Sequence, residues 1–142
     1  MSGNSTTLLG FDFGEKRIGV AVGDETVRIA HPLTTIHAED NAARFVAIEA
    51  LVTEWAPAKL VVGLPMHADG TEHEISRLAR RFARRLEGRF SVPVALVDER
   101  LTSRTAEARL RDSGVQGWKI KEVLDAAAAC EILQAWLDSA RT

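Results

Sequence analysis

Asp12 interrupts an otherwise apolar run, Leu9-Gly10-Phe11-Asp12-Phe13-Gly14. A carboxylate there is costly unless it is paired, bound to a metal or placed at the wet end of a strand. Period-two alternation puts Asp12 and Gly10 on one face and Phe11 and Phe13 on the other, so one side can pack while the other holds a cation. The competing reading is a turn-capping Asp ahead of Gly14. Asp98-Glu99-Arg100 follows the apolar run Val94 to Val97 directly, at the C-terminal strand edge where open α/β sheets place their ligands. Taken alone, the trio is equally consistent with a solvated loop salt bridge. Asp125, in Ile120 to Ala129, lies one residue from an apolar stripe of Leu124, Ala128 and Ile132. That position is a helix–sheet border, although Lys121 at i−4 offers an ordinary helical ion pair.

Other devices for chemistry are missing from the chain. It has no GxGxxG run, Walker phosphate loop, CxxC pair, HExxH or GxSxG, each of which would carry its own mechanism. His67 and His73 stand six apart with no third ligand at a zinc spacing. The single Cys130 cannot pair within the chain and suits a buried thiol in a reducing compartment.

The elements that must position these residues follow from pattern. Leu8 to Phe13 and Arg17 to Val22 are strand-like runs separated by Gly14-Glu15-Lys16, a hairpin spacing with Gly14 available for positive φ. Leu33 to Ile36 adds a third strand. After Asp40, a candidate helix N-cap, Phe45, Ile48, Val52 and Trp55 recur at helical spacing until Pro57. Leu60 to Leu64 is a short buried strand ended by Pro65 and followed by Asp69-Gly70. In the next helix Ile75, Leu78, Ala79, Phe82 and Leu86 share one side, and Arg77, Arg80, Arg81, Arg84 and Arg85 form an outward stripe on the other, which reads first as an ordinary solvated helix face and second as a contact to a nucleic-acid backbone. Val92 to Val97 predicts a further strand, Thr102 to Arg111 a helix capped by Thr102, and Ile120 to Leu137 a long helix whose four successive alanines permit close approach. The order βββαβαβαα predicts an α/β fold with a mixed sheet, three antiparallel strands and then two parallel ones, and helices on both faces.

The chain has 142 residues, 46% of them hydrophobic, enough for one domain over 1–142 with a core of about 8–138 and no need of staples. No apolar run reaches the roughly 18 residues of a membrane span, and residues 1–7 lack the order of a signal peptide, so a soluble cytoplasmic protein is expected. Net charge is −2, which argues against indiscriminate polyanion binding, but its placement is uneven. Arg77 to Arg111 carries +6 and the remainder −8. A basic segment in an acidic molecule is a candidate nucleic-acid footprint.

Gly10-Phe11-Asp12-Phe13-Gly14-Glu15-Lys16-Arg17-Ile18-Gly19-Val20-Ala21 resembles the opening signature of the YqgF (RuvX) family, which has a ribonuclease H-like fold. Val61 to Pro65 with Asp69-Gly70-Thr71, Asp98 to Ser103, and Lys121 to Ala128 resemble that family's remaining blocks in order, so the likeness spans about Leu9 to Leu137. The resemblance implies that Asp12, Glu99 and Asp125 converge as the catalytic and metal-binding acids of a phosphodiesterase. It implies Mg²⁺ or Mn²⁺, two ions roughly 4 Å apart, with Asp12 bridging and Glu99 and Asp125 each holding one. Lys16, Arg17, Arg100 and Thr102, within the matched motifs, become candidates for substrate contact, with charge balance of neighbouring acids as the alternative for Lys16, Arg17 and Arg100.

The same resemblance implies an endonuclease that trims the 5′ end of precursor 16S rRNA, on a ribosomal particle, acting as a monomer or weak homodimer. Its alternative is Holliday junction resolution on branched DNA, which calls for a symmetric dimer. RuvC-type resolvases place a second acid or His three residues after the last helical Asp, where this chain has Ala128. The segment Asp12 to Arg17 also resembles the phosphate-binding turn of actin-like kinases, but such proteins carry two related domains and this chain has one copy. A catalytically silent binding module on the same fold is the remaining alternative.

Overall fold

The computed structural model describes residues 5–67, 69–101 and 117–139. The expected helix Thr102 to Arg111, and Thr102 itself, lie outside the described residues. Five strands form one sheet: β1 (Thr7–Phe13), β2 (Arg17–Asp24), β3 (Ile29–His37), β4 (Lys59–Leu64) and β5 (Val94–Asp98). Their order is β3-β2-β1-β4-β5. β1 pairs antiparallel with β2 and β2 with β3, whereas β4 runs parallel to both β1 and β5. Three helices complete the described fold: α1 (Asn41–Trp55), α2 (Glu74–Phe90) and α3 (Gly117–Ser139). The mixed sheet expected from the sequence is therefore present.

Alternation along the strands sorts the core into two layers. Leu9, Phe11, Ile18, Val20, Leu60 and Val62 face Phe45 and Ile48 of α1 and Phe82 and Leu86 of α2. Leu8, Ala21, Val61 and Val97 face Ala129, Ile132, Leu133 and Leu137 of α3. Since parity decides the face, Asp12 joins Gly10 and Leu8 on the α3 side.

Local chemistry sets the element ends. The Asp40 side chain accepts a hydrogen bond from the Ala43 N–H at 3.1 Å, capping α1 as expected. Ala56, in the left-handed region at φ 45°, closes α1 by donating to Val52, and Pro57 keeps the chain from continuing. Three expectations need correction. β3 spans Ile29–His37 rather than Leu33 to Ile36, because Pro32 lies on an edge strand beside a register shift where Val20 pairs Thr34 and Ala21 pairs Pro32; an edge bulge accommodates proline. β5 begins at Val94 rather than Val92, since Pro93 has no N–H for the ladder and only its carbonyl accepts, from Leu60 at 2.9 Å. Gly14 does not take positive φ; among the described glycines only Gly70 does, at 91°. Gly14 is required because a Cβ there would stand 2.5 Å from the Arg17 carbonyl oxygen.

Candidate active site

Three elements deliver carboxylates to one end of the sheet on its α3 face. β1 carries Asp12 next to its last residue, the chain leaving β5 carries Glu99 on a short 3₁₀ turn (Glu99–Leu101), and α3 carries Asp125. The approach of α3 depends on residues without side-chain bulk. Asp12 pairs with Gly19 across the β1–β2 ladder, and a Cβ at Gly19 would lie 1.8 Å from the Asp125 carbonyl oxygen. At Gly63 a Cβ would meet Ile132 at 2.4 Å and the Glu99 Cγ at 3.1 Å. The helix thus rests on backbone, which sets Asp125 beside Asp12.

Electrostatics records the convergence. Burial, then Glu99, then Asp125 push the Asp12 carboxyl from 3.8 up to about 7. Glu99 is also raised, by burial first and by Asp98 second. Asp98 behaves oppositely: hydrogen bonds from Arg100, the shortest 2.6 Å, hold it below the usual carboxylate range. Arg17 lies on the same face, and its Nε donates to Asp125 Oδ2 at 2.5 Å. A cleft of about 330 Å³ is lined by Asp12, Gly14, Glu15, Lys16, Arg17 and Asp125.

Of the residues singled out from sequence, Asp12, Glu99 and Asp125 are brought together, and Lys16 and Arg17 share their cleft. Both arginines engage acids, Arg17 with Asp125 and Arg100 with Asp98. Asp125 finds its partner across the fold in Arg17, a contact that helical spacing does not reveal. Arg100 also borders the loop after β4, where a Gly70 Cβ would lie 3.2 Å from its guanidinium. His67 and His73 do approach, with ring centroids 4.6 Å apart.

Arg44 was not singled out, and it holds the site hairpin. It is 3% exposed, although charged. Its Nε donates to the Ala38 carbonyl at 2.5 Å, and its Nη2 donates to the carbonyls of Gly14, at 2.7 Å, and Glu15. The guanidinium also lies 5.4 Å from the Phe13 ring centroid. The signal was present in sequence: Arg44 extends the apolar stripe of Ile48, Val52 and Trp55 by one turn, a position where a charge needs a partner. Ser76, fully buried, likewise donates to the Pro65 carbonyl and accepts from the His73 N–H at 3.1 Å, tying the start of α2 to the end of β4.

The donor set suits a hard divalent cation: three carboxylates offer only oxygen, and the Asp12 anion is destabilised where it stands. Among the described residues no three His, Cys, Asp or Glu are already gathered as a ligand set; the Asp125 carboxylate is turned onto Arg17.

A mixed five-stranded sheet in the order β3-β2-β1-β4-β5, with α1 and α2 on one face and α3 on the other, defines a ribonuclease H-like fold. Comparison with solved structures agrees on the fold. The RuvC of T. thermophilus in complex with a Holliday junction substrate superposes with a TM-score of 0.59 over 94% of each chain at 15% identity. A fowlpox virus resolvase in complex with Holliday junction DNA gives 0.51 over 96% of this chain and 99% of that chain at 12% identity. The chain belongs to the RuvX family, whose model, described as "Holliday junction resolvase", matches residues 6–139. A protein of Dechloromonas aromatica named "Putative pre-16S rRNA nuclease" is 61% identical over 94% of this chain and 91% of its own length. One of the same name in Methylobacillus flagellatus is 59% identical over 92% and 90%. Nucleases of this fold use divalent metal ions. No helix among the described residues is long and apolar enough to cross a membrane.

Proposed function

We propose that this protein is a metal-dependent endonuclease of the cytoplasm that hydrolyses a phosphodiester bond at the 5′ end of precursor 16S rRNA, presented on a ribosomal particle. The observation that carries the reading is the meeting of Asp12, Glu99 and Asp125 at one sheet end, with the Asp12 carboxyl raised by burial first and then by the other two acids. Asp12, Glu99 and Asp125 are the residues that would hold Mg²⁺ or Mn²⁺. Two such ions, when bound, supply a deprotonated water as nucleophile and charge for the leaving oxygen.

The chain's own residues do the rest. Lys16, exposed at the hairpin turn and lining the cleft, attracts the phosphate as a point charge, and Arg17 offers a planar donor pair beside it. Arg44, by fixing the Gly14 and Glu15 carbonyls, keeps that turn and Asp12 in register. The RNA substrate rests on the named relatives at 61% and 59% identity. The second reading, resolution of branched DNA, rests on the family description.

One experiment separates them. A 5′-extended small-subunit RNA precursor and a four-way DNA junction are incubated side by side with Mg²⁺, Mn²⁺ or chelator, using wild type and Asp12→Asn. The expected result is metal-dependent cleavage of the RNA, reduced by about a hundredfold to a thousandfold in the variant, as for loss of a principal electrostatic group. Selective cutting of the junction would establish the second reading, and full activity of Asp12→Asn would refute the site.

A further inference from the structure

The arginines of α2 fall into two classes. Arg77 is paired with Glu74 at 2.5 Å and Arg80 with Glu72 at 2.8 Å. Arg81, Arg84 and Arg85 have no acid partner among the described residues, and Arg89 contacts only the Phe45 ring, 5.3 Å from its centroid. The C-terminal half of the stripe therefore keeps its charge while the N-terminal half is neutralised. Arg81, Arg85 and Arg89, all exposed, stand at i, i+4 and i+8. They line two hollows of about 360 and 110 Å³ that share Asn41, Phe45 and Arg85 as walls, and so form one groove between α1 and α2.

We infer that this groove is a track for the sugar–phosphate backbone of the nucleic acid whose scissile bond lies in the acid cleft, an inference that rests on the nuclease reading above. Four helical residues rise about 6 Å, so the three guanidinium groups recur at about the separation of consecutive phosphates on a single strand. The facing wall is the first turn of α1, the positive end of a 15-residue helix, whose capping carboxylate Asp40 is already committed to the Ala43 N–H. The floor is apolar, with Phe45 and Phe82 at 5% and 4% exposure, which strengthens the attraction between a guanidinium and an anion above it. The groove also leads to the site. Phe13 lines the groove and Gly14 lines the acid cleft, so a strand seated along Arg81, Arg85 and Arg89 reaches Asp12 by crossing the β1–β2 turn past Lys16. A second copy of the chain is a poor occupant, because a two-fold pairing would set these unneutralised arginines against their own equivalents.

Two classes of arginine on one helix supply an internal control. The chain carrying Asp12→Asn, which is expected to bind without cutting, is titrated with the 5′-extended RNA and with the four-way junction over a series of salt concentrations. Arg81→Gln/Arg85→Gln/Arg89→Gln is compared with Arg77→Gln/Arg80→Gln. The triple variant is expected to flatten the slope of log affinity against log salt by about 2, at about 0.7 per lost phosphate contact, and the double variant to leave it nearly unchanged. Gly88→Glu, whose Cβ has open space around it, is expected to weaken binding by adding an anion to the groove without removing an arginine. Equal losses in both arginine variants, an unchanged slope in the triple variant, or no binding of either nucleic acid would overturn the track. So would a change in oligomeric mass accompanying the triple variant, which would assign the groove to a second copy. Cleavage by the chain with Asp12 intact is read separately. Slope differences without cleavage remove the proposed function and keep the track, and cleavage with an unchanged slope does the reverse.

Discussion

Asp12 keeps its proton to about pH 7 because burial, Glu99 and Asp125 all disfavour its anion. The folded chain therefore binds that proton more tightly than the unfolded chain, whose Asp titrates near 3.8. The sign follows from linkage: the contribution is most favourable below about pH 4, is lost as pH rises toward 7, and stays lost above it. Asp12→Asn removes the anion and should be more stable than wild type at pH 8 in chelator, by up to about 4 kcal/mol at 1.36 kcal/mol per unit. The advantage should shrink toward pH 4.5. Urea unfolding of both proteins at pH 4.5, 6 and 8 checks this, and an advantage that grows toward acid would contradict the assigned cause. Asp12 was conspicuous in the sequence as a charge in an apolar strand. The pairing of Arg17 with Asp125 was not legible, since the two residues lie 108 apart in the chain.

Helix α3 reaches the sheet through glycines, and the two kinds of glycine in this chain should respond oppositely to a methyl group. Gly19→Ala sets a Cβ 1.8 Å from the Asp125 carbonyl oxygen, so α3 must move and carry Asp125 with it. A loss of about 3 kcal/mol or more is expected, at the upper end of overpacking costs. Gly88 of α2 meets nothing within 4 Å, so Gly88→Ala should be neutral or stabilising by up to about 1 kcal/mol, the difference in helix propensity. Thermal unfolding of the two single variants is the check; equal effects would mean that α3 does not seat on β2 as described. The helices and central strands were legible in the sequence because period 3.6 and period 2 are local properties. The four successive alanines signalled a close helix, but the complementary surface did not declare itself, since Gly10, Gly19 and Gly63 sit on three strands and face α3 together only once the sheet is paired. The sequence pattern shortens the edge strand for a related reason: Pro32 argues against a strand unless its own edge is free of a partner and a bulge absorbs it. Arg44 was overlooked because its three carbonyl partners belong to loops on either side of β2 and β3.

Across the whole molecule, the site is where the chain's separate layers meet. Asp12 comes from the centre of the sheet, Glu99 from beyond β5 and Asp125 from the helix over one face, while Arg44 reaches the hairpin from the layer on the other. Sequence pattern marked each carboxylate as one candidate among ordinary alternatives. Their convergence is a property of the strand order β3-β2-β1-β4-β5, which sets β1 and β4 side by side although 45 residues separate Phe13 from Lys59, and it became legible only through the family likeness. A cation held by all three acids would bind the folded chain and not the unfolded one, so it should stabilise the entire fold rather than a loop. At 100 times its dissociation constant the gain is about 2.7 kcal/mol, roughly 10 °C in Tm for a chain of this size. Because protons compete for Asp12 up to about pH 7, the Tm rise with Mn²⁺ or Mg²⁺ should be larger at pH 8 than at pH 6, and Asp12→Asn should lose most of it at both. Differential scanning fluorimetry at the two pH values, with a monovalent salt of equal ionic strength as control, measures this directly. A rise of equal size at both, or one retained in Asp12→Asn, would place the cation elsewhere on the molecule and separate the acid cluster from metal binding.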